Sequence, residues 1–302
     1  MNNGIARPSG PVLVVGATGR LGGHVVTNLL ARGKEVRALV RPGKDVTNLQ
    51  RRGVQIARGD MLNPASLRAA MADVGAVVST AAGFPQSGRS ARRIDGEGNT
   101  NLVDAAREVG VPKFVLTSIL SCDRTPGVPH FWAKKLAEDR LEESGVPFVA
   151  LRPGALVDSV MTNGGNAFES GRILWLGKTH VPLTFVLTTD LAIYLAEAVD
   201  ADTADAERVD IGWDRPVDIT EIATLLSNAM TRSMRVMAIP SPITRIAGRL
   251  LGPLSPTIED MAAMFAWMDT GNYVADTTRQ HDLFGEPPTA EDAIERLASD
   301  SR

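Results

Sequence analysis

The stretch "PVLVVGATGRLGG" (residues 11–23) decides the fold. A short apolar run ends at Gly16, and a helical pattern runs from Leu21 to Arg32. Between them Gly16, Gly19 and Gly22 recur at three-residue intervals. Glycines there permit a tight turn, close approach of backbone to a bound group, and close packing of a helix on a strand. A helix that opens at such a turn aims unpaired N–H groups and its positive dipole end at whatever sits there. That arrangement holds a diphosphate, and it predicts a dinucleotide site formed by Gly16, Thr18, Gly19, Arg20, Leu21 and Gly22. A glycine-rich turn of structural use alone has the same composition. Its place at the head of a series of strand–helix units favours the binding site.

That series is legible outward from the loop. "EVRALVR", "VQIAR", "GAVVST", "KFVLTS" and "PFVALRP" read as strands. Helices are expected near 45–52, over "NPASLRAAMADV", over Thr100–Val109 and over His130–Ser144. Asn63 is the expected cap of the second of these, with Pro64 in its first turn. Apolar strands that alternate with helices imply a parallel sheet covered on both faces. Right-handed crossovers make it an α/β, Rossmann-type doubly wound sheet. After Pro153 the rhythm loosens. "TTDLAIYLAEAVD", "DITEIATLLSNAM", 243–251, 257–268 and "TAEDAIERLA" read as helices, "ERVDIG" and "RVMAIP" as strands, with Asp190 near one helix start and Asp218 or Thr220 as another's cap. The division expected is a flexible tail over 1–10, a dinucleotide-binding domain over 11–154, and a smaller C-terminal substrate-binding lobe over 155–302 folded onto it.

Composition narrows the function. The 302 residues, 44% of them hydrophobic, suffice for one large domain with an added lobe. A formal net charge of −3 supplies no basic field for nucleic acid. No apolar run reaches the ~18–20 residues of a membrane span, and "MNNGIARPSG" lacks the apolar core of a secretory signal. The single cysteine, Cys122, allows no internal disulfide and suits a cytoplasmic location. His24, His130, His180 and His281 show no metal-ligand spacing, so no metal is expected.

The second strand ends "ALVRPG". A site for NAD usually carries a carboxylate at that strand end to hold the ribose 2′-OH. Here Arg41 stands there, Arg20 lies in the glycine loop, and Asp45 follows four residues later as an expected helix start. Two guanidiniums suit a 2′-phosphate, so NADP(H) is expected over NAD(H).

Several stretches together carry a family resemblance: "GATGRLG", "VRPG", "ARGDMLNPASL", "VVSTAAG", "GEGNTNLVDAAREVGVPKFVLTS", "KKLAEDRLEESGVPFVALRPG" and "TTDLAIYLAEAV". The chain resembles the atypical short-chain dehydrogenase/reductases of the NmrA-like, isoflavone-reductase-like kind, most strongly through Gly154. The resemblance implies that Asp60 and Met61 meet the adenine and that Thr80, Ala81 and Ala82 line the ribose. It implies that Lys134 bonds the nicotinamide ribose and that Pro153 and Gly154 flank the nicotinamide. Asn99 matches a structural or proton-relay asparagine, and Ser118 the catalytic Ser or Thr. Each has a plainer use: Ser118 at a strand end, Asn99 as a helix cap, Asp60 in a turn. All fall at carboxyl ends of strands, where an open α/β sheet binds its ligand.

One departure stands out in "VPHFWAKKLAEDRLEESGVPF". The wider family protonates a carbonyl with a Tyr four residues before the Lys; here that residue is His130, and the only tyrosines are Tyr194 and Tyr273. His130 and Lys134 share a helix face. The helix N-terminus, Lys134 and an oxidised nicotinamide all disfavour imidazolium at His130, leaving a neutral ring that polarises an oxygen by donating a hydrogen bond. A capping or packing use beside Phe131 and Trp132 is equally open. Isoflavone-reductase-like enzymes also lack the Tyr and rely on the Lys, so Lys134 is the expected central group, with Ser118 and His130 as orienting donors. Lys135 points about 100° away, toward solvent.

The second half carries less chemistry. "SVMTNGGNAFESGRILW" is expected to border the pocket. "SPITRIAGRLLGPLSPTIEDMAAMFAWM" is either a lid or, more commonly for such a stripe, a packed face. An apolar pocket suits a hydrophobic carbonyl or enone. The expectation is an NADPH-dependent oxidoreductase acting on such a small molecule, as monomer or homodimer. The alternatives are a non-catalytic NADP(H)-binding sensor or regulator, as some NmrA-like proteins are, and an isomerase or epimerase that recycles bound NADP.

Overall fold

A computed structural model describes residues 10–83, 92–162, 165–243, 246, 252 and 255–301. The expected tail lies outside the described residues except at position 10. So does the helix expected over 243–251, except at positions 243 and 246, and so do positions 163 and 164 of the pocket-bordering stretch.

Along the chain run β1 (Val12–Val15), α1 (Arg20–Ala31), β2 (Val36–Val40), α2 (Thr47–Arg51), β3 (Gln55–Arg58), α3 (Pro64–Met71) and β4 (Ala76–Ser79). A wide helical turn, Arg92–Gly98, leads into α4 (Asn99–Val109). Then follow β5 (Phe114–Thr117), α5 (Pro129–Ser144), β6 (Phe148–Pro153), β7 (Ala155–Leu156), α6 (Val157–Val160) and α7 (Ala167–Ser170). Next come β8 (Arg172–Leu176), β9 (Phe185–Val186), α8 (Thr188–Glu197), β10 (Ala206–Ile211), α9 (Ile219–Met230) and β11 (Arg235–Ile239). Helices Pro256–Met268, Thr278–Phe284 and Ala290–Asp300 close the described chain.

Seven strands form one sheet in the order β10-β6-β5-β4-β1-β2-β3. The pairs β1–β2, β1–β4, β2–β3, β4–β5 and β5–β6 are all parallel. Helices cover both faces, so β1, β4 and β6 are buried along their whole length, whereas the edge strand β3 is not. The strand order reverses between β1 and β4, which opens a crevice at their carboxyl ends.

The chain forms two compact units and crosses between them several times, where the sequence suggested one boundary after residue 154. The first comprises Met1–Ser118, Ala133–Leu151 and Thr189–Val209. Its core joins Leu13, Leu39, Leu67, Leu102, Phe114, Leu141 and Phe148. The second comprises Ile119–Trp132, Arg152–Thr188 and Asp210–Arg302, around Phe131, Trp175, Phe185, Trp213, Ile222 and Ile294.

Local chemistry explains the boundaries. Asn63 accepts from Ser66 N and Pro64 follows it, so α3 starts as expected. Asp218 caps α9 by accepting from Thr220 N and Glu221 N. Asp45 is not inside a helix: its carboxylate accepts from Thr47 N at 2.9 Å and so precedes α2. Asn99 is not a cap, because Gly98 holds that position and the Asn99 side chain is buried. The short strands β7 and β9, the β8–β11 pair and the helix Thr278–Phe284 bring elements that the sequence reading left out or left unpaired. Among the described residues no helix is long and apolar enough to cross a membrane.

Candidate nucleotide site

Gly16 follows β1 with φ +89°, a conformation glycine adopts without strain. Gly19 N then donates to Gly16 O at 2.9 Å, closing a tight turn into α1. The turn is packed too closely for side chains. A Cβ on Gly22 would lie 2.2 Å from Gly16 O, and one on Gly16 would lie 2.6 Å from Thr80 Oγ1. No side chain caps α1, and no acidic residue occupies its first turn. Thr80 fastens the loop from the other side, its N and Oγ1 both donating to Val15 O at 2.9 Å.

This loop forms one wall of a cleft of about 500 Å3. Gly16, Thr18, Gly19, Arg20, Leu21 and Gly22 line it, as do Arg41, Asp60, Met61, Thr80, Ala81 and Ala82. The sequence-derived binding set from the first half therefore converges on one crevice. Lys44 and Gly83 line it as well and were not expected. Lys44 could have been read from the turn it closes. Pro42 and Gly43 (φ +79°) are the central residues of a four-residue turn, with Lys44 N donating to Arg41 O at 3.3 Å. Arg58 holds that turn by donating to Lys44 O at 2.9 Å and to Arg41 O at 3.3 Å. Asp60 is the only carboxylate in the described lining, and it also accepts from Leu62 N at 3.0 Å, the plainer turn use foreseen for it.

The cradle fits a dinucleotide on its own geometry: a glycine turn that any Cβ would fill, an uncapped helix N-terminus, and cations without a carboxylate at the end of β2.

Beyond the cleft wall, Lys134 is 4% exposed. Its Nζ donates to Ala81 O at 3.0 Å and lies 3.7 Å from Asp95 Oδ1. Asp95, which the sequence reading passed over, accepts from Gly83 N with both oxygens, at 3.2 and 3.1 Å. Asn99 Nδ2 donates to Asp95 O at 2.8 Å, one turn back, while the buried Asn99 Oδ1 has no hydrogen-bond partner among the described residues. Ser118 is buried, and its hydroxyl donates to Glu138 Oε1 at 2.5 Å. Arg208 holds the other oxygen of Glu138 at 3.0 Å and reaches Glu142 at 2.6 Å. Ser118, expected to be an orienting donor, gives its proton to a carboxylate. Lys135 is not free in solvent but paired with Asp139 along the helix.

Within the second unit, His130 Nδ1 lies 2.6 Å from Asp260 Oδ1, both side chains buried. In a neutral ring so placed, Nδ1 carries the proton and donates it to the carboxylate, which makes Nε2 an acceptor. A neutral His130 is then no donor to a substrate oxygen, contrary to the expectation from the helix dipole alone. The ring also meets Phe131 edge-on at 4.7 Å. Tyr273, remote in sequence, packs 5.9 Å from the Phe131 ring, and its hydroxyl donates to Pro153 O at 3.5 Å. Burial, with Asp210 and Cys122 nearby, pushes that phenol above its ordinary range. Gly154 is required by packing, since a Cβ there would lie 2.4 Å from Thr184 O. Among the described residues no His, Cys, Asp and Glu cluster could hold a metal ion.

A family model described as NAD(P)H-binding matches residues 16–202. The photosystem II assembly factor Ycf39 of Synechocystis is 26% identical to this chain, over 78% of it and 72% of its own length. The NAD(P)H azoreductase of Xenophilus azovorans is 27% identical, over 76% of this chain and 77% of its own. The solved structure of the NADPH-dependent quinone oxidoreductase QOR2 from Escherichia coli, complexed with NADPH, matches with a TM-score of 0.77 and 20% identity. That match covers 96% of this chain and 99% of the other, and it carries the fold.

Proposed function

The chain belongs to the NAD(P)H-binding family of atypical, NmrA-like short-chain dehydrogenase/reductases, and from that premise we propose that it is an NADPH-dependent reductase of small, apolar carbonyl or enone compounds. One observation carries the cofactor choice: the crevice at the α1 N-terminus is lined by Arg20, Arg41 and Lys44, with no carboxylate at the end of β2. The relatives named for azo and quinone reduction support an electron-poor, conjugated substrate.

In this reading the glycine-loop amides and the α1 dipole hold the diphosphate. Arg41 and Lys44 hold the 2′-phosphate, with Arg20 beside them; Asp60 and Met61 take the adenine, and Thr80, Ala81 and Ala82 the ribose. Bound NADPH supplies the hydride. Lys134, a three-proton donor already oriented by Ala81 O, holds the nicotinamide ribose and donates a proton through Nζ–H to the oxygen that gains charge. Asn99 holds the Asp95 carbonyl beside it, and Ser118, whose proton goes to Glu138, keeps acceptor capacity only.

Fluorescence titration with NADPH and NADH tests this. The wild type is expected to bind NADPH at micromolar levels, and Arg41→Ala to lose about tenfold for NADPH and little for NADH. Equal binding of both nucleotides by both proteins overturns the 2′-phosphate assignment. No binding of either overturns the function.

A second reading is a cofactor-binding protein that acts on a protein partner without turnover. The relatives named as assembly factors and the engagement of Ser118 by Glu138 support it. NADPH binding with no consumption across a panel of quinones, enones and azo dyes favours it. Turnover with any of them rules it out.

A further inference from the structure

The proposed chemistry turns on Lys134, an ammonium whose side chain is 5% exposed. A charge that deep is costly without a counter-charge. Among the described residues the carboxylate within 4 Å of it is Asp95, 3.7 Å from Nζ and itself 2% exposed. Both oxygens of Asp95 also receive the N–H of Gly83. Gly83 closes the segment Ala81–Gly83 that lines the cleft, and Ala81 O is the acceptor for Lys134. The backbone carbonyl of Asp95 is held in turn by Asn99 Nδ2. One carboxylate therefore links three elements: the loop after β4, the wide turn ahead of α4, and α5.

We propose that Asp95 is a positioning residue of the nucleotide site, setting Lys134 and the Ala81–Gly83 wall in register through a single buried charge. The inference rests on the nucleotide-binding reading given above. Asp95 acts through Lys134 and through Gly83 N, and its charge and its hydrogen-bond acceptance are separable. Asn at this position keeps an acceptor for Gly83 N–H and removes only the charge. A role confined to holding the loop predicts that Asp95→Asn behaves as the wild type.

NADPH titration of the full chain as wild type, Asp95→Asn, Lys134→Met and the double variant reads the difference. Asp95→Asn is expected to weaken NADPH binding about tenfold, and the double variant to bind no more weakly than Lys134→Met alone, because residues in one charge network do not add. Wild-type affinity in Asp95→Asn, or losses that multiply in the double variant, overturns the inference while leaving the nucleotide site standing. No binding by the wild type overturns the nucleotide reading and this inference with it. If Asp95→Asn does not fold, thermal unfolding of the double variant decides. A folded double variant shows that the unpaired lysine was the fault and supports the pairing. A double variant that also fails to fold overturns it.

Discussion

Gly22 has no room for a side chain, because the missing Cβ would sit 2.2 Å from a backbone carbonyl of the same loop. Gly22→Ala must therefore move Gly16 or the start of α1. The expected result is loss of detectable NADPH binding together with about 1–3 kcal/mol of stability, checked by titration and denaturant melts of the same protein. Glycines of this kind were legible because their spacing is local and their purpose steric. Lys134 was legible as a residue, but its partners were not. Asp95 sits one turn before Asn99 in a stretch already read as cofactor-side, and only that position hinted at it. Asp260 offered no hint, lying 130 positions from His130.

Helix starts were the most readable elements, because capping is written in a few adjacent residues. Asp218 shows the energetics. Burial raises its carboxyl, yet the hydrogen bonds from Thr220 and Glu221 outweigh that and hold it below its ordinary 3.8. A carboxyl lowered in the folded state stabilises the fold when ionised, and that contribution is lost as the pH falls through the folded value. Asp218→Ala is thus expected to cost about 1 kcal/mol, or about 2 °C in Tm, at pH 7. The gap to wild type should close as melts are repeated below about pH 4. A gap that stays constant with pH shows that the cap works through shape alone. The strands that escaped the sequence reading were those with weak local signals. β7 and β9 are two residues each, and β8 gains its partner β11 only through a parallel pairing across a long intervening segment.

For the whole chain, a ligand that binds only the folded state raises stability by mass action. NADPH at about a hundred times its Kd is expected to add about 2.7 kcal/mol, which raises the Tm by about 4 °C for a chain of this length. NADH at the same concentration should raise it less, and Arg41→Ala should bring the two shifts together. Differential scanning calorimetry reads both. Equal shifts for the two nucleotides in the wild type contradict the preference for NADP(H).

The apolar runs and the glycine loop determined the parallel sheet and the crevice at its switch point, because periodicity and the space a side chain needs are local properties of a chain. The roles of polar groups were decided by tertiary structure. Lys134 faces Asp95, Ser118 faces Glu138, and His130 faces Asp260. Each pair brings together side chains from separate elements, and a buried charge takes its meaning from the counter-charge that folding places beside it.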